Sequence, residues 1–381
     1  MQISLQRIDT GFRGETCYTH ARAGISPDGH AVITMQPLRL SGSDIFYGMR
    51  MIRSADAGQT WSGITPCAHL TRLPWPGTEG GEHVFCDGTP FWHKATGKFI
   101  LTGHNAVYIN DEIHPDPRPR STVYSVYDAE KGDFSPFRML EMPENLREDH
   151  FSSGAGCTQI LEEEDGSLLI PVYHMDRQSA CDPWHSSFRA CVLRCSFDGE
   201  NLRVTEAGNS FTVPVPRGLD EPSLVRHEDS FFLAIRNDQT GYVARSSDGL
   251  HFDDPVPLCF DDGENAGNYN TQQHWITGGG KLYMVYTRRG ANNDHIFRHR
   301  APLFIAEFDP ERMRLIRATE QIAVPERGAR LGNFGCLHVN EEESWVIVSE
   351  WMQTTGPDYF NWRRCMEYGS DNSIFIAKIR F

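Results

Sequence analysis

Residues 54–61 read SADAGQTW, a polar stretch with the composition of a tight turn. The Asp56 carboxylate can accept backbone N–H bonds inside such a turn, Gly58 permits the bend, and Trp61 can pack back beneath it. Looser copies follow, SFDGENL at 196–202 and SSDGLHF at 246–252. The stretch therefore predicts a structural element that closes a β-hairpin and recurs along the chain.

A second recurring pattern is a pair of short apolar or alternating runs joined by a turn rich in Gly, Asp or Glu. These turns lie near residues 28, 96, 165, 229, 279 and 342. KATGKFILTG at 94–103 and EEDGSLLIPVY at 163–173 are examples. No long apolar stripe of helical spacing accompanies them, so the pattern predicts antiparallel hairpins throughout.

Repeated hairpins at roughly even intervals favour a β-propeller, because radial repetition protects strand edges. We predict an all-β fold of four antiparallel strands per blade, in one domain that spans residues 1–381. The strand-like runs ISLQRI near the N-terminus and SIFIAKIRF at the C-terminus are expected to complete one blade together. Six units can be counted directly.

The composition limits the classes of partner. The chain has 381 residues, 39% hydrophobic residues and a net charge of −15, which disfavours nucleic acid and anionic membranes as partners. Neither a signal peptide nor a membrane span is evident, and the ten cysteines show no paired metal spacing. We therefore expect a cytoplasmic protein with reduced thiols. Its oligomeric state cannot be read from the sequence.

Histidines flank the hairpin centred near residue 96. His83 and His104 are expected toward the same end of one blade, where a histidine of near-neutral pKa could move a proton. His93 is expected to be exposed beside the turn. Surface or structural roles are the alternative for each.

Residues 171–195 combine a tyrosine and an arginine on two strand-like runs. Tyr173 ends LLIPVY and Arg189 begins FRACVLRC, so the two side chains are expected to meet at one rim. Trp184 and His185 lie in the loop between them. An arginine beginning an apolar strand suits an anionic ligand, although a structural ion pair would equally explain it.

The most basic part of this acidic chain lies at 286–304, after the amide-rich run NYNTQQHW at 268–275. Arg298 and Arg300, with Asn270 and His274, are candidate substrate-binding residues for an acidic ligand. His20 and Arg22, on one face of a predicted strand, join them. A network of structural salt bridges is the alternative.

A metal site is a further alternative. Cys336 and His338 share a strand face in NFGCLHV, and His274 could join them as a third ligand. Zinc accepts such nitrogen and sulfur sets. A small buried cysteine is the competing interpretation.

SADAGQTW resembles the Asp-box of sialidase-like, or BNR-repeat, propellers at every fixed position of S-x-D-x-G-x-T-W. Longer strings resemble the same group, which is related to ulvan lyases and to enzymes that cleave rhamnose from glucuronate. These strings are GTPFWHKATGKFILTGHN, EPSLVRHEDSFFLAIRND, GNYNTQQHW, TRRGANNDHIFRHRAPLF and RGARLGNFG. The resemblance implies seven blades, with six as the alternative and 203–228 as the region that would hide the seventh.

By the same resemblance, His83 and His104 take the two histidine places of the ulvan-lyase site, Tyr173 the tyrosine place and Arg189 the arginine place. His20 matches a histidine proposed as catalytic in the rhamnose-directed relatives. These four residues, His83, His104, Tyr173 and Arg189, are therefore the candidate catalytic group.

The chemistry that fits these residue types is β-elimination at a uronic acid of an acidic oligosaccharide. Arg189 would neutralise the C6 carboxylate, a histidine would remove the C5 proton, and Tyr173 would protonate O4 of the leaving group. The base and acid could exchange roles. No cofactor is required for this reaction.

Two other function classes stay open. An exo-acting glycoside hydrolase, sialidase-like or rhamnosidase-like, would use two of the carboxylates Asp87, Asp176, Asp220 and Glu221. A propeller without activity would only bind carbohydrate.

Overall fold

The computed structural model describes residues 1–42, 44–115, 117–181 and 187–381. These residues form an all-β propeller in which thirty strands are arranged in six hydrogen-bonded sheets. We number the sheets I to VI in chain order. The N-terminal strand β1 (Gln2–Ile8) belongs to the last of them.

Sheets I to III occupy the first half of the chain. Sheet I contains β2 (Thr16–Ile25), β3 (Ala31–Arg39), β4 (Arg50–Ser54) and β5 (Thr65–Pro66). Sheet II contains β6 (Leu73–Pro74), β7 (Gly81–His93), β8 (Lys98–Ile109), β9 (Glu112–Ile113), β10 (Thr122–Asp128), β11 (Asp133–Phe134) and β12 (Arg138–Met139). Sheet III contains β13 (Ser152–Gly154), β14 (Leu161–Glu162), β15 (Leu168–Met175), β16 (Ser187–Phe197), β17 (Leu202–Ala207) and β18 (Arg217–Gly218).

Sheets IV to VI complete the ring. Sheet IV contains β19 (Asp220–His227), β20 (Ser230–Arg236), β21 (Tyr242–Ser246) and β22 (Val256–Pro257). Sheet V contains β23 (His274–Gly278), β24 (Lys281–Tyr286), β25 (Leu303–Asp309), β26 (Arg314–Leu315) and β27 (Gln321–Val324). Sheet VI contains β28 (Gly335–Asn340), β29 (Glu343–Ser349), β30 (Ile374–Arg380) and β1.

Helices are short and few in the described ranges. They are α1 (Arg177–Ala180), α2 (Trp362–Glu367) and three 3₁₀ turns, Glu144–Leu146, Phe297–His299 and Arg317–Thr319. None of the helices has the length and apolar character that crossing a bilayer requires.

The hairpins predicted from the sequence are present, one in each sheet. Each predicted turn joins two consecutive antiparallel strands, for example β2 to β3 and β7 to β8. Glycines supply the left-handed backbone in the first three turns, with φ of 86° at Gly29, 63° at Gly97 and 79° at Gly166. These local signals were sufficient because a hairpin depends on residues close in sequence.

Neither seven blades of four strands nor the alternative of six such blades is correct. The described strands form six sheets of unequal size, which contain between four and seven strands each. Residues 203–228, expected to hide a blade, instead supply the outer strand β17 and the short β18 of sheet III and then β19 of sheet IV. One added pair, β16 with β18, is parallel rather than antiparallel.

The chain ends meet in sheet VI. Strand β1 pairs antiparallel with β30, from Gln2 opposite Arg380 to Ile8 opposite Ile374. The C-terminal strand is thereby covered on both edges, by β29 and by β1. This pairing joins the two ends of the chain within one sheet.

The apolar core lies between neighbouring sheets. One cluster joins Trp275 and Phe308 of sheet V to Phe232 and Val243 of sheet IV. Another joins Val285 of sheet V to Val346 and Phe375 of sheet VI. Burying each such side chain contributes about 1.5–3 kcal/mol, so the contacts between sheets are the main source of stability.

The SADAGQTW turn has the predicted hydrogen bonds. The Asp56 carboxylate accepts bonds from the backbone N–H groups of Gln59 (3.0 Å) and Thr60 (2.9 Å), and the Ser54 hydroxyl accepts from Gly58 N–H (2.9 Å). The turn joins the third and fourth strands of sheet I. Asp198 and Asp248 accept the equivalent backbone bonds in sheets III and IV.

His93 is buried, contrary to the expectation that it is exposed. Its Nδ1 contacts the Thr96 hydroxyl at 2.8 Å, and its Nε2 contacts the Gly166 carbonyl at 2.9 Å. Because Gly166 lies in the hairpin turn of the next sheet, the ring links two neighbouring turns. The sequence could not show that contact between sheets.

Candidate functional site

One residue per sheet near the propeller axis has a left-handed backbone. The first strands of neighbouring sheets contact one another there, as in β2 with β7 and β19 with β23. The six residues are His20 (φ 58°), Asp87 (56°), Cys157 (60°), Glu221 (45°), Asn270 (59°) and Asn333 (69°). None is glycine, and left-handed residues of this kind concentrate at functional sites.

The backbone at these positions bulges. The strand register shifts between Thr19 and Arg22, between Cys86 and Thr89, and between Asp220 and Ser223. A bulge re-aims a side chain that would otherwise follow the strict alternation of a strand. Four of the six left-handed residues, His20, Asp87, Glu221 and Asn333, line one cavity of ≈ 240 Å³.

Asp87 is the centre of a buried polar cluster at the base of this cavity. Its carboxylate lies 2.7 Å from His20 Nδ1, 3.5 Å from Arg22 and 3.8 Å from His104 Nδ1, and it accepts a bond from the Cys157 thiol (3.1 Å). Burial alone would raise the pKa of Asp87, but His20, Arg22 and His104 outweigh burial and hold this pKa well below its usual range. Asp87 is therefore a carboxylate at neutral pH.

His104 and Tyr173 form a hydrogen-bonded pair in the cavity wall. The Tyr173 hydroxyl lies 3.1 Å from His104 Nδ1. Burial lowers the pKa of His104 to about 3, with Arg120 adding to the effect, and burial raises the pKa of Tyr173 well above its usual value. Both side chains are therefore neutral at pH 7 before a ligand binds, and their hydrogen bond joins a proton donor to a proton acceptor.

Arg120 lies beside this pair. Its guanidinium carbon is 5.5 Å from the centre of the Tyr173 ring and 5.9 Å from that of Phe188, and it lines the cavity. A cation in this position can stabilise negative charge that develops near Tyr173.

Two further cavity arginines are already neutralised by carboxylates. Arg217 contacts Asp220 at 2.7 Å, and Arg236 contacts Glu221 at 2.6 Å. Burial would raise the pKa of Asp220, but the positive charge of Arg217 and Arg236 lowers it. These pairs form a charged but locally balanced side of the cavity.

Arg300 and Arg330, both buried, form the cationic side. Among the ion pairs of the described residues none includes either of them. Arg300 donates instead to Asn333 Oδ1 and Asn270 Oδ1, both at 3.0 Å, and Arg330 stacks on Trp351 at 3.3 Å. The Nε atoms of both arginines have no hydrogen-bond partner.

Burial is the main cause of the lowered pKa values of the two arginines, and the carboxylates of Asp44 near Arg330 and Glu221 near Arg300 oppose it only in part. Burial lowers the pKa of Arg330 to about 9, and burial together with Arg330 lowers the pKa of Arg300 well below its usual value. An unneutralised buried cation is costly, so an anion bound between these groups would be strongly favoured. Arg298, which lines the same cavity and is more exposed, adds a third positive charge.

The structure brings several predicted residues into this cavity. His20, His104, Tyr173, Arg298 and Arg300 line it. Asn270 lies immediately behind, where its side-chain oxygen accepts from Arg298 (3.0 Å) and from Arg300.

Arg22 and His274 are buried away from the cavity wall. Arg22 donates to Cys157 Sγ at 2.8 Å and contacts Asp87. His274 Nδ1 contacts the Ser223 hydroxyl at 2.6 Å, and its ring packs on Phe334. Both therefore contact other protein groups around the cavity rather than facing it.

His83 is not brought together with His104. His83 pairs with Val107 and His104 pairs with Cys86, so the two histidines lie on opposite faces of sheet II. The His83 ring packs between Trp75 and Phe137, each at 5.1 Å, and burial lowers its pKa. The sequence predicted that both histidines lie toward the same end of the hairpin. It did not reveal the strand register, which determines the face of the sheet on which each histidine lies.

Arg189 is not brought together with Tyr173. Tyr173 pairs with Ala190, whereas Arg189 pairs with His174, so the two side chains leave sheet III on opposite faces. Arg189 is exposed. Trp184 and His185, in the loop before it, lie outside the described residues.

The predicted metal ligands are not grouped. His338 is exposed and contacts the Thr277 hydroxyl (3.4 Å), whereas His274 and Cys336 are buried. Within the described ranges, the cluster of potential metal-binding side chains is a different one, His150, His174 and Cys191.

The sequence did not indicate several of the residues that line the cavity, among them Arg120, Arg330, Arg217, Arg236 and Asn333. Arg120 precedes the apolar strand TVYSVYD, which is the same signal that drew attention to Arg189. Arg330 lies in RGARLGNFG, a string that was noted without a role for its arginines. Neither signal identifies which arginine reaches the axis.

A larger cleft of ≈ 1020 Å³ lies at the opposite end of the propeller, by the hairpin turns. Its lining includes Asp28, Gly97, Lys131 and Gly199, all turn residues. The smaller cavity is the better candidate site because buried groups of perturbed pKa converge there.

Comparisons with known proteins agree on the fold. A scan against protein-family models found no match, and a search of the curated proteins found none either. Among solved structures, a protein of unknown function from Dyadobacter fermentans matches with a TM-score of 0.65 and 12% identity, over 99% of both chains.

Sialidases are among the other structural neighbours. The Trypanosoma rangeli sialidase matches with a TM-score of 0.62 and 13% identity, over 100% of this chain and 60% of its own. The Hadza microbial sialidase Hz136 matches with a TM-score of 0.59 and 11% identity, over 96% of this chain and 66% of its own. At this identity the likeness shows a sialidase-type propeller fold, and the chain spans only part of each sialidase.

Proposed function

We propose that the protein is a carbohydrate-active enzyme that cleaves a glycosidic bond next to a sugar acid in the arginine-lined cavity. The observation that carries the proposal is the pair of buried guanidinium groups of Arg300 and Arg330, which form no ion pair among the described residues and lie in the same cavity as the His104–Tyr173 pair. The named activity of the sialidase neighbours, whose fold the chain shares, agrees with an acidic sugar as substrate.

The anion would bind on the side formed by Arg298, Arg300 and Arg330. Arginine holds a planar carboxylate with two parallel hydrogen bonds, and the guanidinium groups of these three arginines line the cavity. The net charge of the chain is −15, so this cluster of positive charge is a local feature rather than a general one.

Elimination is the reaction that the placement of His104, Tyr173 and Arg120 favours. Neutral His104 would accept the C5 proton of a uronate, Tyr173 would donate its proton to the leaving O4, and Arg120 would stabilise the negative charge that develops between them. The C5–H and O4–C4 bonds break, a C4–C5 double bond forms, and the products are an unsaturated sugar acid and an alcohol. No carboxylate is needed as an acid, which suits the lowered pKa values of Asp87 and Asp220.

Hydrolysis is the second candidate, favoured by the carboxylates that line the same cavity. Asp87, Asp220 and Glu221 are close enough to the axis to act on a substrate there. In this route the phenol oxygen of Tyr173 would attack the anomeric carbon as the glycosidic C–O bond breaks, and His104 would pass the phenol proton to the leaving oxygen. Water would then add its hydroxyl to the anomeric carbon and return its other hydrogen to the Tyr173 oxygen, which releases the sugar.

One assay separates the candidates. The purified chain is incubated with oligosaccharides that contain uronates or sialic acid, and both near-ultraviolet absorbance and released reducing ends are followed. New reducing ends with absorbance near about 235 nm indicate elimination, and reducing ends without it indicate hydrolysis. Binding without either signal would contradict the enzyme and leave a carbohydrate-binding propeller.

The anion site is tested with a matched pair of variants. Arg330→Ala should raise KM for acidic substrates by at least about 10-fold, because a charged hydrogen bond to a carboxylate is lost. Arg189→Ala removes an exposed guanidinium on the opposite face from Tyr173 and should leave the rate unchanged. Equal effects of the two substitutions would contradict the assignment of the anion to Arg330.

A further inference from the structure

A second cluster of chemically reactive side chains lies away from the cavity, in sheet III. His174 is on β15 and Cys191 on β16, and His150 comes from the loop that follows the 3₁₀ turn Glu144–Leu146. Their candidate ligand atoms all lie within 4.8 Å of one another, and all three residues are buried.

The strand register explains why two of the three meet. Cys191 pairs with Val172, and His174 lies two residues beyond Val172, so Cys191 and His174 share one face of the sheet. The His150 ring stacks on that of His174, with the ring centres 4.0 Å apart. A tetrahedral zinc ion holds nitrogen and sulfur ligands about 3.5 Å from one another. Because zinc lies in the plane of each imidazole that binds it, the two stacked rings would also have to rotate apart to share the ion.

We propose that His150, His174 and Cys191 form a zinc site, with water or the Ser210 hydroxyl as the fourth ligand. Ser210 lies 2.8 Å from His174 Nε2 and is exposed, which gives the ion a route to the cluster. Two imidazoles and one thiolate are a ligand set that suits zinc.

The surroundings of the two histidines support this assignment. His174 Nδ1 lies 2.9 Å from the Asp149 carbonyl, to which it donates, so the lone pair is on Nε2, which accepts from the Ser210 hydroxyl and would bind zinc in place of that hydrogen bond. His150 Nδ1 similarly contacts the Ser153 hydroxyl at 3.2 Å. Metal-binding histidines are commonly oriented in this way by a second hydrogen bond on the other ring nitrogen.

Zinc binding at this cluster would release one proton as the Cys191 thiol becomes a thiolate. No oxidant or reductant is involved.

The ion would connect three segments near the candidate active site. His174 follows Tyr173 directly, and Ser153, which contacts His150, also contacts the Thr122 hydroxyl at 3.1 Å. Thr122 pairs with His104. Zinc would therefore stabilise the strands that carry Tyr173 and His104, without contacting the cavity itself.

Cobalt binding tests the site, because a Co²⁺–thiolate bond produces a charge-transfer band in the near ultraviolet. EDTA-treated protein with Cys181, the exposed cysteine, changed to serine is titrated with Co²⁺ and then with Zn²⁺. We expect one equivalent of Co²⁺ with a thiolate band, displacement by Zn²⁺, and a Zn²⁺-dependent rise in the melting temperature.

Variants assign the ligands. Cys191→Ala and His150→Ala should each weaken Zn²⁺ binding by at least about 100-fold, more than the loss of an outer hydrogen-bond partner. Cys195→Ala, which removes another buried thiol of the same strand, should bind normally. Circular dichroism verifies that each variant is folded. If Cys191→Ala does not fold, the test relies on His150→Ala, because that substitution lies in a loop.

The proposal is overturned if the wild-type chain takes up no Zn²⁺. It is also overturned if the thiolate band survives in Cys191→Ala, or if Cys195→Ala abolishes it equally. None of these measurements depends on enzymatic activity. The zinc proposal can therefore be contradicted while the proposed function is upheld, and the proposed function can be contradicted while the zinc proposal is upheld.

Discussion

Burial decides the behaviour of individual charged residues in this protein. The same loss of solvation that keeps His104 neutral also makes Arg330 an acid of unusual strength for its type, with a pKa of about 9. Asp87 shows the opposite result, because His20 and Arg22 lie close enough to outweigh burial. The candidate site is thus defined by which buried groups have a partner of opposite charge.

Tyr173→Phe tests the proton-transfer pair. The variant keeps the ring that packs on Phe188 but loses the hydroxyl next to His104, so the turnover rate should fall by about 10²- to 10⁴-fold with little change in substrate affinity. The measurement is kcat and KM on the acidic oligosaccharide found in the assay above. An unchanged kcat would show that Tyr173 transfers no proton.

Glu350→Gln tests the effect of burial on a carboxyl group. Glu350 is buried, accepts bonds from the backbone N–H groups of Asp371 and Ser373, and has a pKa raised by burial to about 7. Because the folded state holds this proton more tightly than the unfolded state, the group stabilises the fold at low pH. That contribution is lost as the pH rises from about 4.5 to 7.

The expected signal is a change in the stability difference between wild type and Glu350→Gln. Glutamine does not titrate, so the wild type should lose up to about 3 kcal/mol relative to the variant between pH 4.5 and pH 7.5. Urea unfolding at the two pH values measures this. A difference that does not vary with pH would contradict the raised pKa.

Two kinds of element build the propeller from local sequence: hairpin turns and the aspartate turns that follow the third strand of a sheet. The aspartate turn of sheet I also contacts sheet VI, where Gly58 lies against Trp345 of β29. A Cβ at Gly58 would lie 2.4 Å from that ring, so glycine is required there by close approach as well as by its φ of 70°.

Gly58→Ala should destabilise the protein more than a matched glycine substitution does. Gly97→Ala, at a φ of 63° with no heavy atom within 4 Å of the added carbon, reports backbone strain alone and should cost about 1 kcal/mol. Gly58→Ala adds the clash with the buried Trp345 and should cost at least about 2 kcal/mol. Urea unfolding of both variants measures the difference. Equal losses of unfolding free energy would show that the contact between Gly58 and Trp345 does not require glycine.

The molecule as a whole depends on the closure between its ends. Strand β30 is held on both edges only because β1 returns to it from the other end of the chain. The pairing involves seven residues of β1, although most of that strand is exposed and contributes little to the core. Its contribution is the hydrogen-bonded edge rather than apolar burial.

Deletion of residues 1–8 should therefore lower the melting temperature and promote aggregation, because β30 becomes an unpaired edge. Leu5→Ser is the control, since Leu5 is exposed and the substitution keeps the backbone pairing. Thermal unfolding and light scattering measure the two effects. If Leu5→Ser behaves like the deletion, side-chain contacts rather than pairing close the ring.

The amino-acid sequence by itself determined the all-β class, the hairpins and the aspartate turns, because each depends on residues a few positions apart. It also identified His104, Tyr173, Arg298 and Arg300, which line the cavity. It did not determine how the strands divide into sheets, because a resemblance to a family with seven blades does not show how many strands pair in each sheet of this chain. Residues 203–228, where a blade was sought, only join sheets III and IV.

Only the tertiary structure decided which face of a sheet each candidate occupies. A shift of one residue in register moves a side chain to the other face, and this is why Arg189 and His83 leave the site. Asp87 lines the cavity from a bulge in β7, and Arg120 lines it from the segment before β10. The bulges at His20, Asp87 and Glu221 have no signature in the local sequence, since they arise where six separate strands converge on one axis. Contacts between segments distant in sequence therefore determine which residues form the site, whereas neighbouring residues determine where the strands and turns lie.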